Sequence, residues 1–290
     1  TIWFRDPTAD VAATANTPAY KAYKSGTTTV LVNSAVNVAG VAVTSVDGTT
    51  DTLLSGPGND TISGSGADVL DLGHMPGTSG QVDVTAPVTV TLPDGSTAGT
   101  AVLGNLLGTD TLVGIQNVST GKGADTVVGS SAANIIVTDL ANDTVGSADS
   151  ISAGGGSDTI VAGAGADVID GGEGADSIDA GTGNDQVVMD INDTIDGGTG
   201  VDSLVVKTDI LDLSGVTPHV SNMEVINLAQ DPQANQVILS KAFVEAMGGA
   251  NAVVSIEGTG DDVLNLANTN ANETIWFRDP TADVAATANT

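Results

Sequence analysis

Aspartate recurs every nine residues through the middle of this chain, and that interval limits the fold more than any other feature. Residues 153–188 read as four nonapeptides, AGGGSDTIV, AGAGADVID, GGEGADSID and AGTGNDQVV. The sixth place is held by Asp158, Asp167, Asp176 and Asp185. The second is Gly154, Gly163, Gly172 and Gly181, and the fourth is Gly156, Gly165, Gly174 and Gly183. The eighth is β-branched: Ile160, Ile169, Ile178 and Val187. Glycine at two fixed places permits the positive φ of a tight bend, which other residues resist. Three residues remain for a short strand, whose middle side chain points to the opposite face from its neighbours and is expected to be the inward one.

The interval continues outward with slips. Asp149 precedes Asp158 by nine, Asp193 follows Asp185 by eight, and Asp202 comes nine later. Upstream, Asp125, Asn134 and Asp143 keep the step with decayed glycines, and only six residues separate Asp143 from Asp149. A shorter block contains Asp51, Asp60 and Asp68, while Asp110 and Asp262 stand in lone partial copies. The pattern resembles the G-G-x-G-x-D-x-U-x nonapeptide of the repeats-in-toxin (RTX) family, a repeat that binds calcium. The resemblance is good over 51–73 and 119–206 and poor over 257–275.

The spacing carries a physical argument of its own. Two nonapeptides complete one coil of a parallel β-roll, so Asp158 should lie beside Asp176 and Asp167 beside Asp185. Stacked carboxylates repel unless a cation sits between them. Calcium suits such a gap, since it takes 6–8 oxygen ligands at about 2.3–2.6 Å in irregular geometry, whereas magnesium demands a tighter octahedron. Zinc would want His or Cys, and His74 and His219 both lie away from the array. Ca2+ is therefore the expected cofactor, in several copies. The expected ligands are the repeat aspartates of both blocks named above, together with carbonyls of the eight loop glycines. A plainer role is open to each aspartate, because Asp in a glycine-rich turn also accepts backbone N–H bonds. Asp110 and Asp262 are read as turn residues, Asn134 as closing a stack without an ion, and Asp170 and Asp179 as solvated strand edges.

Composition narrows the partners. Seven Lys and Arg oppose 36 Asp and Glu, giving a formal net charge of −29. Five of the acids are Glu, so Asp dominates, as suits turns and not helices. Nucleic acid is excluded because it needs a basic face. Membrane insertion is not expected, since no apolar run approaches the roughly 20 residues of a spanning helix. No signal peptide is read, so an export address is expected outside these residues. There is no Cys, which removes disulfides and thiolate metal sites. No HExxH, GxSxG or Cys nucleophile assembles, and the chain is not expected to be an enzyme. RTX modules accompany catalytic domains that lie elsewhere in their chains.

The fold class expected is all-β: calcium-bound parallel β-roll (β-solenoid) blocks with flanking strand segments and one short capping helix. Residues 1–50 read as a strand segment continuing from a preceding repeat, 51–73 as a short RTX block and 74–118 as a β insertion. The main roll follows at 119–206, then a strand and helix cap at 207–256 and a degenerate RTX turn at 257–273. The helix is capped by Ser240, filled by KAFVEAM and stopped by Gly248–Gly249. The sequence TIWFRDPTADVAATANT at 1–17 returns unchanged at 274–290, an offset of 273 residues. Residues 274–290 thus read as the start of the next tandem unit. Trp3, Phe4, Tyr20 and Tyr23 near that junction are expected to pack units together. The expected partners are identical neighbouring repeats or subunits, head to tail, with a host surface, an abiotic surface or a glycan as attachment targets. The tandem repeat together with the RTX resemblance implies a secreted, cell-surface fibre or giant adhesin that folds on meeting calcium. A surface-layer protein and a glycan-binding module are the alternatives.

Overall fold

A computed structural model describes residues 4–5, 20–25, 28–33, 42–44, 50, 52–54, 58–64, 67–77, 80–83, 85–104, 108–139, 146–207, 210–214, 219–228, 236–248, 255–258 and 263–267. Two long sheets of very short strands dominate it. Successive nonapeptides deliver their strands alternately to the two sheets, so strand n pairs in parallel with strand n+2. Thr159–Val161 pairs with Ser177–Asp179 in one sheet, and Val168–Asp170 with Gln186–Val188 in the other. The stacking offset is thus 18 residues, as two nonapeptides per coil require. The inward residue of each strand is the eighth of its nonapeptide: Ile160, Ile169, Ile178 and Val187 are all buried. They join Ile136, Ile151, Ile195 and Leu204 in one continuous cluster between the sheets. Full burial of such a side chain contributes about 1.5–3 kcal/mol relative to exposure. This core, one residue wide per strand, depends on repetition for its stability.

The slips in the repeat leave the strand pairing intact. Thr126 pairs with Ser150 at an offset of 24, six residues more than two nonapeptides. Ser177 pairs with Thr194 at an offset of 17, after the shortened step. The segment between the two repeat blocks adds strands to the same two sheets. Val88–Thr91, Gly99–Leu103 and Gly108–Val113 form an antiparallel meander. Its outer strands run parallel to Thr126–Ser130 on one side and Thr61–Ser63 on the other. In the opposite sheet Asn117–Ser119 bridges Val69–Asp71 and Ile135–Val137.

Beyond residue 206 the coils lengthen and a third sheet appears, with Ile210–Asp212, Gln236–Ser240 and Val263–Ala267 in parallel. The helix Lys241–Gly248 follows directly. The Ser240 hydroxyl accepts a hydrogen bond from Phe243 N at 3.2 Å, the expected N-cap. Phe243 and Met247 are buried in the core cluster, and the Met247 carbonyl accepts from Met223 N. Near the start of the chain, Phe4–Arg5, Tyr20–Ser25 and Thr28–Asn33 form a small antiparallel sheet. Trp3, Gly249 and 274–290 lie outside the described residues. Among the described residues no helix is long and apolar enough to cross a membrane.

Candidate metal centre

The aspartate of each nonapeptide sits immediately before its strand, at the mouth of the glycine turn. Stacking therefore aligns these side chains in two rows, one along each sheet. In the first row, Asp125 N donates to Asp149 Oδ1 at 2.7 Å. Asp149 N donates to Asp167 Oδ1, Asp167 N to Asp185 Oδ1 and Asp185 N to Asp202 Oδ1, each at 2.8 Å. Val88 N opens this row on Asp125 Oδ1, and Glu224 Oε2 closes it by accepting from Asp202 N. In the second row, Asn134 N donates to Asp158 Oδ1, Asp158 N to Asp176 Oδ1 and Asp176 N to Asp193 Oδ1. The same backbones are linked again by their carbonyls. Ser177 N, for example, donates to Asp158 O, and Gln186 N to Asp167 O.

The two oxygens of each carboxylate thus have different circumstances. Oδ1 is satisfied by a backbone N–H, the turn role that any aspartate in such a loop could fill. Oδ2 is not. The Oδ2 atoms of Asp125, Asp149, Asp158, Asp167, Asp176, Asp185, Asp193 and Asp202 are buried and receive no hydrogen bond. A buried, unsatisfied anionic oxygen carries a desolvation penalty of about 1–3 kcal/mol or more. A row of them accumulates that penalty unless something positive is bound.

The electrostatics agree. Burial pushes Asp149 and Asp185 up to about 7, and Asp125, Asp167 and Asp193 up to about 6. Burial also raises Asp158, Asp176 and Asp202. Backbone hydrogen bonds pull each of these back down, and neighbouring carboxylates push up again: Asp176 acts on Asp158, and Asp167 and Asp202 on Asp185.

The glycines complete the arrangement. All eight at the second and fourth places have positive φ. They stack in columns so close that a Cβ on Gly181 would run into the carbonyl oxygen of Gly163, and one on Gly174 into that of Gly156. Carbonyl oxygens are therefore packed coil against coil beside the carboxylate rows. Among the described residues no three Asp, Glu or His side chains converge into a metal cage. An ion here must draw on backbone oxygens as well as carboxylates, and a hard cation such as calcium accepts that mixture.

An RTX calcium-binding nonapeptide repeat model matches residues 46–73, 110–145, 148–187 and 191–205, in four copies. These segments of the chain carry RTX calcium-binding nonapeptide repeats. RTX nonapeptide repeats bind calcium ions, and RTX repeat proteins are typically secreted. No curated protein and no solved structure matches this chain.

The remaining sequence expectations divide. Asp60 and Asp68 are buried immediately before their strands, as the repeat requires. Asp51, Asp143 and Asp262 lie outside the described residues. Asp110, read as a turn residue, is instead a buried strand residue of Gly108–Val113, and its Oδ1 accepts from Asp60 N at 2.8 Å. The meander pulls it into the roll. Asp179 is exposed, and Asp170 is half-buried and pairs with Lys207 at 3.0 Å. Two acids escaped the sequence reading. Glu224 takes the aspartate place before Val225–Asn227, and its signal is an acid two residues ahead of an inward Ile226. Asp139 follows the strand Ile135–Val137; its Oδ2 accepts from Ala164 N, and its charge raises Asp125 and Asp167. No repeat spacing points to it.

Proposed function

We propose that this chain is a structural repeat of an extracellular fibre or giant adhesin, made rigid by calcium held between the coils of its roll. The observation that carries the proposal is the pair of rows of buried carboxylate oxygens without hydrogen-bond donors. In this reading the ligands are the Oδ2 atoms of Asp125, Asp149, Asp167, Asp185 and Asp202 in one row and of Asp158, Asp176 and Asp193 in the other. Carbonyls of the stacked glycine turns join them. Bound calcium supplies the positive charge that these oxygens lack. The chain's own residues fix the oxygens in place through the Oδ1 hydrogen bonds, so each site is preorganised by the coil before it.

The exact return of residues 1–17 at 274–290 supports a head-to-tail array of such units, and so do the parallel coils, which stack indefinitely without closing. Without the ion, a net charge of −29 opposes compaction. With it, binding free energy becomes folding free energy. Export as an unfolded chain followed by folding in calcium-rich surroundings fits that switch. Attachment and biofilm formation would be the roles of such a fibre.

The test is circular dichroism of the chain stripped of calcium and then titrated. Strand signal should rise cooperatively with calcium and hardly at all with magnesium. A spectrum unchanged by calcium would overturn the proposal.

A further inference from the structure

The roll meets its helix cap at a turn that breaks the repeat. Between Val220–Ser221 of one sheet and Val225–Asn227 of the other the chain has three residues, Asn222, Met223 and Glu224. The preceding turn, 197–202, has six. The stacking survives the change: Asp196 pairs with Ser221 and Ser203 with Val225, so Glu224 follows Asp202 in the first row. Asn222 makes the short turn possible. Its φ is 54°, and among the described residues it is the one non-glycine residue with positive φ. Asparagine adopts that left-handed conformation more readily than most side chains. Its Nδ2 donates to Asp196 Oδ1 at 2.7 Å, and a Cβ on Gly197 would run into its carbonyl oxygen. Asn222 thus acts as the repeat glycines do, bending the chain and packing a backbone oxygen against the neighbouring turn.

Glu224 acts as the repeat aspartates do, and its extra methylene offsets the reach lost in a shorter turn. Its Oε2 accepts from Asp202 N at 2.9 Å, the bond that each earlier aspartate accepts through Oδ1. Asp202 is fully buried; its Oδ1 accepts from Asp185 N, and its Oδ2 receives no hydrogen bond. Burial raises the Asp202 carboxyl, and so does the charge of Glu224. Behind the turn, the buried Met223 donates its N–H to the carbonyl of Met247 in the helix at 3.1 Å.

We infer that the last calcium ion of the first row is held between Asp202 and Glu224, outside the nonapeptides, and that this ion fastens the roll to its helix cap through Met223. The inference rests on the calcium reading above and adds Glu224 to it as a ligand. Two carboxylates do not fill a calcium shell, and backbone oxygens of 197–202 and 222–224 supply the remainder.

Equilibrium dialysis against calcium and hydrogen exchange, both on the full 290-residue chain, test the site. Glu224→Gln keeps an acceptor for Asp202 N and removes the charge. At a calcium concentration that just saturates the parent, it should bind one ion fewer per chain. Amides of 223–227 and of the helix should then exchange at least about tenfold faster, while 149–188 keeps the parental protection. Glu257→Gln, at an exposed carboxylate, should change neither reading. Glu224→Asp, shorter but charged, should hold the ion better than Glu224→Gln. The reverse order would make Glu224 a hydrogen-bond acceptor only and overturn the inference. A parental ion count in Glu224→Gln, or protection lost evenly from 149 to 248, would overturn it as well. Each of these leaves the calcium reading in place, whereas a parent that binds no calcium overturns both.

Discussion

Replacing Asp185 with asparagine should move the protein in two directions at once. Burial and the charges of Asp167 and Asp202 push the Asp185 carboxyl from 3.8 to about 7. That is roughly three pH units, and at about 1.36 kcal/mol per unit the ionised group costs the ion-free fold about 4 kcal/mol above pH 7. An amide removes the charge and keeps the acceptor for Asp167 N, a bond of 2.8 Å. Its new N–H must find a carbonyl, as that of Asn134 does, at a cost of about 1–3 kcal/mol if it fails. The net expectation is an ion-free fold more stable by about 1–3 kcal/mol at pH 8. Calcium, however, loses a charged ligand, and its midpoint should rise at least about tenfold. Circular dichroism of the stripped variant at pH 8 should show more strand signal than the parent, followed by a weaker response to calcium. A stripped variant with less strand signal, or an unchanged calcium midpoint, would refute the assignment of this oxygen as an ion ligand.

Acid should partly replace the metal. The raised folded values mean that the native coils bind more protons than the unfolded chain between about pH 4 and 7, so ion-free stability falls as pH rises through that window. Stripped protein should therefore gain strand signal on acidification from pH 8 to 5, and the calcium midpoint measured at pH 6 should exceed that at pH 8. Gly181→Ala places a Cβ against the Gly163 carbonyl at a φ of 102°. Thermal melting in calcium should show a loss well above the roughly 1 kcal/mol of an ordinary glycine change, and Gly95→Ala, with open space around it, should lose much less. Asp176→Ala should raise the calcium midpoint in a fluorescence or calorimetric titration, whereas Asp212→Ala, at an exposed carboxylate, should leave it in place.

The interval of nine makes the central coils readable because every quantity it fixes is local. The inward Ile160 and Ile178, the stacking of Asp158 on Asp176 and the bends at the paired glycines all follow from one short period. Even the slips at Asp149 and Asp193 are legible, since each leaves the strands paired. Legibility stops where pairing depends on distant segments. Alternation over 81–92 indicates strands, but nothing in it says that Val88–Thr91 will lie against Thr126–Ser130, or that Thr61–Ser63 will find Gly108–Val113 across 50 residues. Asp110 was misjudged for that reason: its turn-like GTDTL setting is outweighed by the sheet that recruits it. Glu224 is concealed by its longer side chain and by the absence of glycines before it, although it performs the hydrogen bonding of an aspartate. Asp139 occupies the glycine column above Gly163, where the repeat gives no reason to expect an acid.

The carboxylate rows also have an arrow. In every link from Val88 to Glu224, and from Asn134 to Asp193, the donor belongs to the earlier coil and the acceptor to the later one. The two extremities of the longer row are therefore chemically unlike: Val88 opens it as a backbone donor, and Glu224 closes it as a side-chain acceptor. Such a stack can be lengthened in one sense only, and a copy turned end for end would bring like groups together. Directionality of the kind usually ascribed to whole filaments is already written into the orientation of single peptide N–H bonds.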